Sequence, residues 1–157
     1  VLLSRKGGIL SGIPAEAAFT AQENLSQPSD SDEISHDIIW EKLKREHTRI
    51  LAFDYEEGCE ILTIKPQDIG VLPREAWSYG NNSFLLHGYY NYRYLILAKL
   101  LNPQGNPRYI LGVPGHYYSN ERYLASMFGF PSFVLSKEQP AQDGRFGFWY
   151  ADIKMGG

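Results

Sequence analysis

The sequence predicts an α+β domain: a β-rich antiparallel sheet core, either a sandwich or a partly open barrel, with about two short helices. Three observations predict it. Apolar and β-branched segments of strand length outnumber amphipathic helical stretches. Short turn-forming runs such as Glu57-Gly58 and Asn102 to Pro107 join them, where parallel strands would need helical crossovers. Tyr accounts for 11 of the 157 residues and the aromatic share is 14%, a composition suited to half-buried pleated surfaces.

Residues 1–33 read as a tail or linker, partly disordered, because the run QENLSQPSDSDE from Gln22 to Glu33 buries too little apolar surface to offset ordering entropy. A single globular β-rich domain is expected over residues 34–157. Its first helix spans His36 to His47, with Ser35 as cap, Ile34 and Ile39 at staple positions and Asp37 in the first turn. Glu41 and Arg45 stand four apart, and Ile39, Trp40, Leu43 and His47 form the stripe that must pack. Strands are expected at Arg49–Tyr55 and Glu60–Lys65. Pro66 ends the second, and Gln67 to Trp77 reads as irregular or short helical structure. Ser83–His87 and Tyr92–Leu101 read as strands flanking Gly88. The turn NPQGNP then pairs Arg108–Val113 back as a hairpin. Ser119 is expected to cap a second helix running through Phe128, with Gly129 at its exit and Pro131 beyond. Gly144–Ile153 reads as the last strand.

Composition excludes several function classes. A net charge of −3 with mixed signs gives no electrostatic ground for nucleic acid or an anionic membrane as partner. No apolar run approaches the roughly 20 residues that span a bilayer. One cysteine, Cys59, permits neither an internal disulfide nor a Cys-based zinc site, and favours a reducing, cytoplasmic location. Asp54, Glu56, Glu57 and Glu60 match no calcium loop and read as a solvated turn. GxSxG, HExxH, P-loop and GxGxxG patterns are absent, so neither cofactor nor metal is expected. The chain begins at Val1 rather than Met, which leaves room for an upstream domain or a removed signal.

Candidate site residues lie in two stretches, GNNSFLLHGYYNYRY (Gly80–Tyr94) and GVPGHYY (Gly112–Tyr118). His87 stands at the end of an expected strand, where it would act as a base or a ligand donor; the plainer reading is a half-buried His bonded to a carbonyl. Tyr90, Tyr92 and Tyr94 alternate, so a strand would place them on one face, to hold a flat ligand or to pack in the sheet. The Gly88–Tyr89 bend is then the place for contact. His116 precedes the second helix, whose first amides together with Ser119 and Arg122 suggest an anion site; otherwise Ser119 satisfies those amides itself and Glu121 answers the helix dipole. The hypothetical binding set is His87, Tyr89, Tyr90, Arg93, His116, Tyr117, Ser119 and Arg122.

The same two stretches, with KPQDIGVLP from Lys65 to Pro73, SMFGFP from Ser126 to Pro131 and GRFGFWY from Gly144 to Tyr150, resemble an uncharacterised bacterial domain-of-unknown-function family. The resemblance covers Ile34 to Met155 and implies a domain found at the C-terminal end of longer proteins. It implies no activity, cofactor or site residue.

The residues therefore favour a non-catalytic binding or protein-interaction module, its partner a protein segment, a small polar ligand or a second copy of the chain. Trp77, Tyr89, Tyr90 and Tyr117 would be its anchors. One alternative is a small hydrolase or transferase using His87 or His116 as general base, Tyr90 or Tyr118 as donor and Arg93 or Arg122 for an anionic intermediate. The other is a purely structural domain with its aromatics in the core.

Overall fold

The computed structural model describes residues 38–141 and 143–155. The expected tail, and the Ser35 cap and Ile34 staple of the first helix, lie outside the described residues. Five strands form one antiparallel sheet, open rather than closed: β1 (Cys59–Ile64), β2 (Leu95–Leu100), β3 (Arg108–His116), β4 (Ser132–Leu135) and β5 (Phe146–Ile153), in the order β1-β2-β3-β5-β4. The α+β, β-rich class holds, and the sandwich-or-barrel choice resolves to a single sheet.

Alternation divides the sheet's side chains into two cores. On one face Leu62, Ile64, Leu97, Leu111, Val113 and Trp149 pack with Trp40, Leu43, Leu85 and Ala125 from the helices and with Phe130. On the other, Ile61, Ile96, Ala98, Ile110, Val134 and Phe148 pack with Ala52 and Phe53. The first helix, α1 (38–46), sends Trp40 and Leu43 into the helical face. Trp40 Nε1 donates to Glu60 Oε1 at 2.7 Å, and Lys44 Nζ stands 3.3 Å from Glu60 Oε2. Glu60 is thus buried rather than part of a solvated turn, and Glu41 pairs with Lys44 at 3.5 Å.

The expected strand Arg49–Tyr55 is not one. Arg49 makes a lone bridge to Leu62, and the chain then leaves β1 to run beneath the second face. Its destination is the end of β4, where Lys137 N donates to Ala52 O at 2.8 Å. Covering a sheet face and extending its edge are competing uses of the same residues; burial of Phe53 wins.

Ser83–His87 is not a strand either. Asn82 Oδ1 accepts from the amides of Phe84 (3.0 Å) and Leu85 (3.1 Å), which starts α2, Ser83–Tyr92. Leu85 and Gly88, three apart, are its buried residues, and Arg93 closes it in the left-handed region at φ 69°. Tyr90, Tyr92 and Tyr94 therefore share no strand face, and β2 begins at Leu95.

The β2–β3 hairpin forms as expected, with Ile96 opposite Gly112 and Leu100 opposite Arg108. β3 continues past Val113 to His116 because β5 pairs along its whole outer side, from Tyr109↔Ile153 to His116↔Phe146. Two 3-10 helices, Pro66–Val71 and Arg74–Asn81, fill the stretch read as irregular or short helical. The third helix, α3 (Ser119–Met127), has Tyr118 at its N-cap with no side-chain cap bond, so Ser119 is the first helical residue and not the cap. Gly129 (φ 94°) ends it as expected. The short strand β4 has no counterpart in the sequence reading.

Candidate functional site

Gly88 sets the geometry. A Cβ there would overlap Val113 Cγ1, so glycine is what lets α2 lie against the end of β3. The chain leaves β3 at His116 and enters α3 at Ser119, which puts the start of α3 opposite the second half of α2. Between them opens a cleft of about 530 Å³. Val113, Pro114 and Gly115 line it from the strand, His87, Gly88, Asn91 and Tyr92 from α2, and Asn120, Glu121 and Leu124 from α3.

Glu121 is the most firmly placed polar group in the cleft. Its Oε1 accepts from His116 N at 2.7 Å and from the Trp149 indole Nε1 at 3.0 Å. Gly115 makes room for it, since a Cβ at that position would overlap Oε1. The carboxylate is half-buried, and both bonds fall on one oxygen.

Behind the opposite wall a polar chain runs from Tyr92 to Asp143. Tyr92 Oη lies 3.2 Å from His116 Nδ1, and His116 Nε2 lies 3.9 Å from Asp143 Oδ2. The Tyr118 hydroxyl donates to the same Asp143 oxygen while its ring stacks on the His116 imidazole at 5.7 Å. Burial, then the negative charges of Glu121 and Asp143, push the Tyr92 phenol above 10.0. The Tyr118 phenol is raised chiefly by its bond to Asp143. Asp143 is held below 3.8, foremost by that same bond. Tyr92 is therefore a neutral hydrogen-bonding phenol at neutral pH.

The expected site residues do not form one site. His87 lines the cleft, with Asn91 Nδ2 3.1 Å from its Nε2. His116 sits one hydrogen bond behind the wall, through Tyr92. Tyr117, Ser119 and Arg122 line a second, shallower depression of about 910 Å³ beside β4, together with Arg145. Tyr117 packs there on Phe133 and Trp149. Tyr89 packs against the helical core, Tyr90 is 64% exposed beside it, and Arg93 is the exposed cap of α2. Trp77 is half-exposed on the second 3-10 helix, its Nε1 donating to Leu72 O at 2.6 Å.

Asn91, Tyr92, Asn120 and Glu121 are outside the expected binding set, Tyr92 being read from the sequence only as one of three tyrosines on a strand face. The signal for the first two is helical spacing: His87 and Asn91, like Gly88 and Tyr92, stand four apart and so share a face once the segment is a helix. Glu121 carries no local signal, because its partners His116 and Trp149 come from two separate strands.

The residues that build both walls fall within a family-model match: a model described as a family of unknown function, DUF6128, matches residues 47–153. The chain belongs to the DUF6128 family. The DUF6128 match begins just past α1 and ends with β5, narrower than the Ile34–Met155 span of the resemblance. It takes in all five strands and the whole cleft. Neither a curated protein nor a solved structure matches the chain. Among the described residues no helix is long and apolar enough to cross a membrane, and no three His, Cys, Asp or Glu side chains are grouped to hold a metal ion.

Proposed function

We propose that this DUF6128 domain is a non-catalytic binding module whose ligand, a small polar molecule or the side chains of a protein segment, seats in the α2–α3 cleft. One observation carries the reading: an open cleft of about 530 Å³ whose polar rim joins a carboxylate, two amides, an imidazole and a phenol above an apolar strand floor. Concave sites with apolar lining and a few placed polar groups are the usual form of small-ligand sites. The rim groups come from α2 and α3, two elements anchored on the same strand, so the site is preorganised.

A catalytic reading has one specific support, the Tyr92–His116–Asp143 chain, which resembles an acid–base relay in its order of groups. Its chemistry points away from nucleophilic catalysis. Tyr92 lines the cleft, and its phenol is pushed up rather than down, so the tyrosinate needed for attack is disfavoured. A phenol locked as a hydrogen-bonding group suits recognition. The binding reading is tested by amide-resolved NMR of the 15N-labelled protein against a library of neutral, cationic and anionic fragments. Shifts gathered at His87, Asn91, Gly115 and Asn120 support it. Hits that gather elsewhere, or no hits in any class, overturn it.

A further inference from the structure

We infer that the α2–α3 cleft selects a cation, the ammonium or guanidinium end of an aliphatic stem, with Glu121 as its counter-ion; the inference rests on the cleft being the binding seat. The charge of the lining is one-sided. Glu121 is the one formally charged residue among those that line the cleft, and no Lys or Arg does. Both bonds that hold Glu121 fall on Oε1, which fixes the carboxylate while leaving Oε2 as the acceptor for a ligand. The remaining polar groups that line the cleft, Ser83, His87, Asn91, Tyr92 and Asn120, each offer an acceptor, an oxygen or, for neutral His87, a ring nitrogen. Apolar side chains, Phe84, Leu124 and Phe128, line the rest of the cleft and suit a hydrocarbon stem. After burial, the negative charges of Glu121 and then Asp143 raise the Tyr92 phenol, so both carboxylates act on the group at the cleft wall. An anion entering here would meet a carboxylate with no cation to offset it.

A free alkylamine and a lysine side chain share this chemistry. The test is an NMR and calorimetric titration of the protein with three stem-matched probes: pentylammonium, pentanol and pentanoate. Pentylammonium is expected to shift the cleft amides and to bind most tightly, more weakly as salt is raised. Glu121→Gln keeps an oxygen for the His116 and Trp149 donors but removes the charge, and should weaken pentylammonium roughly tenfold while leaving pentanol unchanged. Because that variant touches the fold, Asn120→Asp and Asn120→Lys, at an exposed rim position, give an independent reading: the first should tighten pentylammonium about threefold and the second weaken it as much. Capped Nα-acetyl-lysine-N-methylamide separates the sources. Binding tighter than pentylammonium assigns the site to a peptide, and equal or weaker binding assigns it to a free amine. Pentanol or pentanoate binding in the cleft at least as well as pentylammonium overturns the cation while leaving the cleft as the seat. If none of the three shifts a cleft amide but the fragment library does, the cation fails alone. If the library fails there too, both readings fall.

Discussion

Glu121 shows how one side chain can tie the fold together while lining the cleft. Its Oε1 ties the first turn of α3 to the end of β3 and to Trp149 of β5, and Gly115 makes the space it occupies. Gly115→Ala should therefore cost about 1–3 kcal/mol of stability, the range for overpacking a filled site. It should also move the Trp149 indole N–H resonance; an unchanged melting point and an unmoved indole would contradict this account. Asp143 gives a second residue-scale prediction. Its folded pKa lies below 3.8, chiefly because the Tyr118 hydroxyl donates to it. A depressed carboxyl contributes stability that is present above its unfolded pKa and is lost as pH falls through the folded value, here below about pH 4. In Tyr118→Phe the Asp143 carboxyl should titrate closer to 3.8, read from its side-chain carbon shift; an unaltered titration would assign the depression to another group. His116 stood out in the sequence by its place between strand and helix, and it lies one hydrogen bond behind the cleft wall. Tyr92 did not, because its role depends on which period its segment obeys.

That period was the hardest thing to read at the level of elements. SFLLHGYYNY holds both an alternation of tyrosines and a buried pair, Leu85 and Gly88, at helical spacing. Asn82 settles it by satisfying two amides that a strand would not leave free. The strand expected at Ser83–His87 followed the β-propensity of the tyrosines and gave Asn82 no capping role. The hairpin and the exit of α3 were readable because Asn102–Pro107 and Gly129 act locally. Arg49–Tyr55 was not, since its fate is set by a sheet face more than eighty residues further on, through the bond to Lys137. At the same scale, Glu60 joins α1 to β1 by accepting from Trp40, which is fully buried. Glu60→Leu strands that indole N–H in an apolar core and should cost about 1–3 kcal/mol in chemical denaturation. Glu60→Gln keeps an acceptor and should cost less. Equal effects would mean that the hydrogen bond contributes nothing.

Across the whole molecule the fold class followed from counts of strands and turns, whereas the form of the sheet did not. Closure depends on how the second face is covered, and that is done by an irregular segment with Ala52 and Phe53 rather than by a second sheet. Phe53, 2% exposed, is the largest contribution of that segment to the core. Phe53→Ala should destabilise by about 3–5 kcal/mol, and a loss under about 1 kcal/mol would show that the second face does not need its cover. With every helix of the described residues on the other face, the cleft opens where α2 and α3 meet the end of β3. The central claim is that this meeting place is the binding seat. Crystals of the protein soaked with pooled polar fragments test it most directly: density is predicted in the cleft between His87, Asn91 and Glu121, and fragments ordered only at other surfaces would contradict it.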